Sequence, residues 1–148
     1  PRGELPIPCP QFVLEGRFRR RLRVQRAFQE LGYHSSDNKF DLSSSAQFGF
    51  VGDLFIAETG SLVPVTGAQR LTGYRVVWVD RRRRRVRGFV ENTGSTPAEI
   101  LDPVSFNRPI DVKFRGGMMF VVDFGVFEPG LNLVEAGTGK VWALTRER

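Results

Sequence analysis

The strongest constraint on this chain is that it repeats itself. GDLFIAETG (52–60) aligns with GMMFVVDFG (117–125) at an offset of 65 residues. At the same offset RVVWVDR (75–81) falls on KVWALTR (140–146). Two strand pairs in one shared register imply two copies of one supersecondary unit. Each unit reads as an extended segment, a strand opening with Gly, a variable loop and a strand carrying Trp. RRVRGFV (84–90) adds a fourth strand to the first unit. Four antiparallel strands repeated radially is the plan of a β-propeller. A period of 65 residues fits a blade, usually about 40–50 residues, with a long loop. The expected organisation is a lead-in or partial preceding blade over 1–32 and two blades over 33–92 and 104–148. Propellers close with about four to eight blades. Two to three blades therefore predict a piece of a larger propeller, or a chain that oligomerises.

Local signals agree with an all-β fold. Sixteen glycines and nine prolines sit between short β-branched and aromatic runs. Strands are predicted at 52–58, 73–80, 84–90, 109–114, 117–125 and 140–146. The first three are expected to build one blade. Residues 109–146 are expected to give three consecutive antiparallel strands, with a turn at Gly116-Gly117. Residues 1–16 read as an extended, Pro-rich lead-in. RFRRRLRVQRAFQELG (17–32) reads equally as a short basic helix or a strand. ENTGSTPAEILDP (91–103) reads as a loop, with one helical turn at Pro97–Leu101.

Charge narrows the function classes. The net charge of +6 comes from 22 basic and 16 acidic residues. Six arginines lie in 17–26 and six in 81–87, with no acid in either window. Clustered arginines bind phosphates, but Arg81–Arg85 falls between two strands, where a solvated hairpin turn is expected. The aromatic interleaving of single-strand binders is missing, so no specific nucleic-acid partner is expected. No run approaches about 18 apolar residues, so no membrane-spanning helix is expected. Cys9 and His34 are the only residues of their types, which excludes an internal disulfide and a multi-histidine metal site. There is no phosphate-binding loop, dinucleotide fingerprint or Gly-x-Ser-x-Gly.

An ordered set of motifs runs through residues 33–146. It comprises His34-Ser-Ser, FVGDLFIAE (50–58) with Gly60-Ser61, GYRVVWV (73–79), RPIDVKF (108–114), MFVVDFG (119–125) and GKVWALTR (139–146). In this order they resemble the C-terminal part of the glucose/sorbosone dehydrogenase family. That resemblance implies a six-bladed, TolB-like β-propeller. It implies pyrroloquinoline quinone (PQQ) and calcium as cofactors, and oxidation of an aldose or aldehyde with the quinone as hydride acceptor. The partner would be a small-molecule sugar or aldehyde, and a periplasmic or secreted location follows by analogy. The family's catalytic histidine lies in an earlier blade and has no counterpart here, so no catalytic residue is assigned. Leu62-Val63-Pro64 stands where relatives carry a basic residue near the cofactor. The competing expectation is therefore a non-catalytic propeller serving as a binding or structural module.

Two residues are the cofactor-binding candidates. His34 would line the central channel at the start of an inner strand; the competing reading is a loop histidine bonded to Ser35 or Ser36. Arg108 precedes a proline, which favours extended backbone. From there its guanidinium would bind a PQQ carboxylate bidentately; the competing reading is an inter-blade salt bridge. Asp53, Glu58, Asp111 and Asp123 are carboxylates at strand ends that would suit calcium. No DxDxDG spacing is present, and Asp53 is expected to accept backbone hydrogen bonds in the turn after Gly52, so no metal ligand is assigned. Phe48, Phe50, Phe55, Phe120, Trp78 and Trp142 are expected in the inter-blade core.

Overall fold

The computed structural model describes residues 29–31, 35–61, 72–92, 105–128 and 133–147. His34, the 1–28 segment with its arginine cluster, Leu62-Val63-Pro64 and the predicted helical turn at 97–101 lie outside the described residues. Those residues are all-β: they contain strands and turns and no helix. No helix among them is long and apolar enough to cross a membrane.

Sheet 1 is a four-stranded antiparallel meander. It comprises β1 (Asp37–Leu42), β2 (Leu54–Glu58), β3 (Arg75–Asp80) and β4 (Arg85–Glu91), hydrogen-bonded in chain order. Sheet 2 has three antiparallel strands in the order β5 (Pro109–Arg115), β6 (Met118–Asp123) and β9 (Lys140–Leu144). A small hairpin, β7 (Phe127–Glu128) with β8 (Leu133–Val134), lies between β6 and β9 in the chain. This corrects the expectation of three consecutive strands over 109–146. Gly52 and Gly117 belong to turns, so β2 and β6 open just after the residues expected to start them.

Alternation along the strands builds two apolar faces. Phe55, Ala57 and Val76 of sheet 1 meet Val112, Met119 and Val121 of sheet 2 in one core, with Phe48 and Phe106 supplied by loops. Trp78, Trp142 and Leu144 pack against it. The Phe48 and Phe55 rings each lie 5.1 Å from Phe114, edge to face. Such pairs add about 0.5–1.5 kcal/mol each beyond the area they bury. Ile56, Val77 and Val79 face away from sheet 2 and form a second cluster with Leu31, Leu54 and Val86. Phe120 alternates with Met119 and Val121 and stands on the far face of sheet 2, away from sheet 1.

Polar contacts tie β5 to sheet 1. Phe114 N donates to Asp41 Oδ2 at 2.9 Å, and Thr59 Oγ1 donates to the Pro109 carbonyl at 2.8 Å. β1 and β5 therefore lie side by side.

The arginine run is the β3–β4 turn. Arg81–Arg84 form the turn, β4 starts at Arg85, and all five side chains are exposed. Two acids organise it. Asp80 Oδ1 accepts from Arg82 N and Arg83 N, and Asp80 Oδ2 accepts from Arg83 Nη1. Asp53 Oδ1 accepts from Arg81 N, and its Oδ2 accepts from the Trp78 indole at 2.9 Å. Asp53 thus serves the arginine turn rather than the turn after Gly52.

Candidate functional site

The ends of β2 and β6 and the starts of β1, β3 and β5 meet at one end of the two sheets. Arg108 sits there, just before Pro109 opens β5. Asp123 fixes its backbone: Oδ1 accepts from Arg108 N at 2.7 Å and from Gly125 N, and Oδ2 accepts from Asn107 N. Phe124 N donates back to the Arg108 carbonyl. A buried carboxylate with three backbone donors is a strong local organiser. It accounts for Asp123 without any metal.

Arg108 is only 4% exposed. Its guanidinium carbon lies 5.3 Å from the Tyr74 ring centroid and 5.7 Å from that of Phe127. Both distances are within cation–π range. Arg108 Nη1 donates to the Ser61 carbonyl at 3.4 Å, and Nε has no hydrogen-bond partner. Among the described residues no carboxylate pairs with it, so the expected inter-blade salt bridge is absent there. In its place, Tyr74 and Ser61 of the first repeat unit contact Arg108 from the second.

Tyr74 reaches this position by an unusual route. Gly73 and Tyr74 both have positive φ, +87° and +58°. Left-handed backbone is costly for a bulky residue. The compensation is specific: Tyr74 Oη donates to the Ser61 carbonyl at 2.6 Å, and the ring packs on Gly60, where a Cβ would collide with it. Gly60-Ser61 and Gly73-Tyr74 are two motif fragments of the sequence. Sequence reasoning did not assign either to a site.

Glu58 is a third buried charge at this end, beside Arg108 and Asp123. Arg75 Nε donates to Glu58 Oε2 at 2.6 Å, and Arg75 Nη1 reaches Glu91 Oε2 at 3.3 Å. Glu58 Oε1 has no partner. Burial pushes the Glu58 carboxyl above its ordinary range; Arg75 opposes that push, and Asp37, its cross-strand neighbour, adds to it. Asp111 is engaged by Lys39 and Lys113. The four strand-end acids thus have separate duties. No three His, Cys, Asp or Glu side chains among the described residues could hold a metal ion.

No family model, curated protein or solved structure matches this chain. The site therefore rests on its own geometry.

Proposed function

We propose that this chain is a segment of a β-propeller of the sugar-dehydrogenase type, and that Arg108 binds a carboxylate of its quinone cofactor. The observation that carries this reading is the buried guanidinium. A buried charge without a counter-ion costs several kcal/mol, roughly, and two aromatic rings offset only about 2 kcal/mol or somewhat more of that. A carboxylate ligand would supply both the missing charge and an acceptor for Nε. PQQ carries carboxylates, so Arg108 fits it. Calcium gains no comparable support from the described residues.

This chain's own part would be binding and orientation. Asp123 and Phe124 fix the Arg108 backbone, and Tyr74 and Phe127 limit where its side chain can swing. When bound, the quinone supplies the two-electron acceptor for an aldose or aldehyde. No residue here is given the role of catalytic base, which the family resemblance puts in an earlier blade. The test is to add PQQ and calcium to the intact protein and follow dye reduction with a panel of aldoses. Turnover that needs PQQ supports the reading; neither turnover nor quinone binding removes it.

A second reading has its own observation. Arg108 bridges the two repeat units through Ser61 and Tyr74 and is almost fully enclosed. That arrangement suits an inter-blade clamp in a non-catalytic binding or structural module. An Arg108→Lys variant that loses stability, in a protein that binds no quinone, would favour it.

A further inference from the structure

The strand ends away from Arg108 are capped by turns that gather in one place. Leu42, Leu54, Val79 and Val86 form one row across sheet 1, so the β1–β2 loop (43–53) and the β3–β4 turn (81–84) project beyond the same strand ends. Arg81 Nη1 donates to the Gly52 carbonyl at 2.9 Å and ties the two together. Sheet 2 ends at the same place. The Gln47 side chain lies against Gly117 of the β5–β6 turn, and the Arg146 guanidinium lies beside Gly49.

Two properties coincide there. The first is charge. Seven exposed arginines belong to this end, Arg81 to Arg85 with Arg115 and Arg146. Four acids stand against them, Asp41, Asp53, Asp80 and Glu147. Three of those are engaged by the turns and by Phe114 N, so the described residues leave this end positive. The second property is an apolar apex. Asp53 N donates to the Phe50 carbonyl at 2.9 Å and Gly52 N to the Ser43 carbonyl at 2.7 Å, which puts Val51 at the tip of a bonded turn. Val51 is 59% and Phe50 37% exposed. The Phe50 ring is braced on Trp78, 4.9 Å away, and its backbone is left-handed, with φ +55°. Val51 belongs to neither core cluster.

We propose that this end is a peripheral binding face for an anionic lipid bilayer. The arginines meet the headgroup phosphates, and Val51, with the edge of Phe50, enters the boundary between headgroups and acyl chains. Interfacial binding scales with buried apolar area plus attraction to anionic lipid, and this end supplies both. A nucleic-acid backbone would use the arginines but leave the valine apex in water. Each arginine close to an anionic surface adds roughly fivefold to the partition. The face consists of turns rather than of a sheet face, so blades adjoining through their sheets leave it open. It lies at the opposite strand ends from Arg108. It does not depend on the Arg108 reading, and failure of quinone binding would leave it standing.

The test uses the full chain and co-sedimentation with vesicles, either of phosphatidylcholine alone or of equimolar phosphatidylcholine and phosphatidylserine. The variants are the double substitution Arg82→Ser with Arg85→Ser, and Val51→Ser, all at exposed turn positions, with circular dichroism to verify folding. The wild type is expected to bind the anionic vesicles, to release them as salt is raised, and to leave phosphatidylcholine unbound. The arginine variant should bind at least about tenfold more weakly. Val51→Ser should weaken vesicle binding severalfold and leave any affinity for a duplex oligonucleotide unchanged. Equal binding to both vesicle types, or no binding to either, overturns the proposal. So does an arginine variant that binds like the wild type, which would assign the attraction to other arginines, those of 17–26 included. A Val51→Ser variant that binds vesicles like the wild type, in a protein that also binds the duplex, overturns it in favour of a nucleic-acid face.

Discussion

Tyr74 and Arg108 converge on one acceptor. Tyr74 Oη donates to the Ser61 carbonyl at 2.6 Å, and Arg108 Nη1 donates to the same oxygen at 3.4 Å. The guanidinium carbon lies 5.3 Å from the centroid of the Tyr74 ring. One residue belongs to the first repeat unit and the other to the second, so the pair couples the integrity of the site to the packing of the sheets.

Tyr74→Phe keeps the ring and removes the shorter of the two bonds. The expected loss is about 1 kcal/mol of unfolding free energy, the usual net worth of one buried hydrogen bond. Urea denaturation measures it. A variant as stable as the wild type would show that the ring alone holds this position.

Gly60→Ala is expected to be more damaging. Gly60 has φ +94°, and a Cβ there would enter the Tyr74 ring. Strain and overpacking together predict a loss of about 2 kcal/mol or more. The control is Gly116→Ala, also at positive φ but with open space around it. If both variants lose the same stability, the Tyr74 contact contributes nothing.

Glu58 predicts a pH dependence of definite sign. Burial makes the folded chain hold the Glu58 proton to a higher pH than the unfolded chain, whose ordinary value is 4.5. Its contribution is therefore full below that value and is lost as pH rises through the folded one. Asp80 acts oppositely. Its hydrogen bond with the Arg83 side chain, and those from the turn backbone, hold it below 3.8, so its contribution is present above that value and is lost as pH falls through the lower folded one. Glu58→Gln should flatten the decline in melting temperature above pH 4.5 and leave the acid limb unchanged. An unchanged decline in the variant would assign it to another group.

The arginine turn predicts tolerance with one gain. Arg84 has φ +51°, a conformation glycine adopts without steric cost. Arg84→Gly should stabilise by roughly 0.5–1 kcal/mol, and Arg82→Ser should stay within about 0.5 kcal/mol of the wild type. Thermal melts decide this. Unfolding by either substitution would contradict a solvated turn.

Much of the fold was legible because period-2 patterning and turn glycines are local signals. The 65-residue repeat foretold two strand sets, and the arginine run read correctly as a solvated turn because five adjacent charges resist burial. The β7–β8 hairpin escaped notice because each of its strands is only two residues long. Arg108 was singled out, but its partners were not. Tyr74 reaches it only through consecutive left-handed residues, and no alternation pattern encodes that.

The most direct test of the central claim is a calorimetric titration of the intact protein with PQQ, comparing wild type with Arg108→Lys. Lysine keeps the charge but loses the planar, two-donor edge that a carboxylate matches. The account predicts saturable binding by the wild type and at least about a tenfold loss of affinity in the variant, a difference of roughly 1.4 kcal/mol. Equal affinity in the two proteins, or no binding by the wild type, would contradict it.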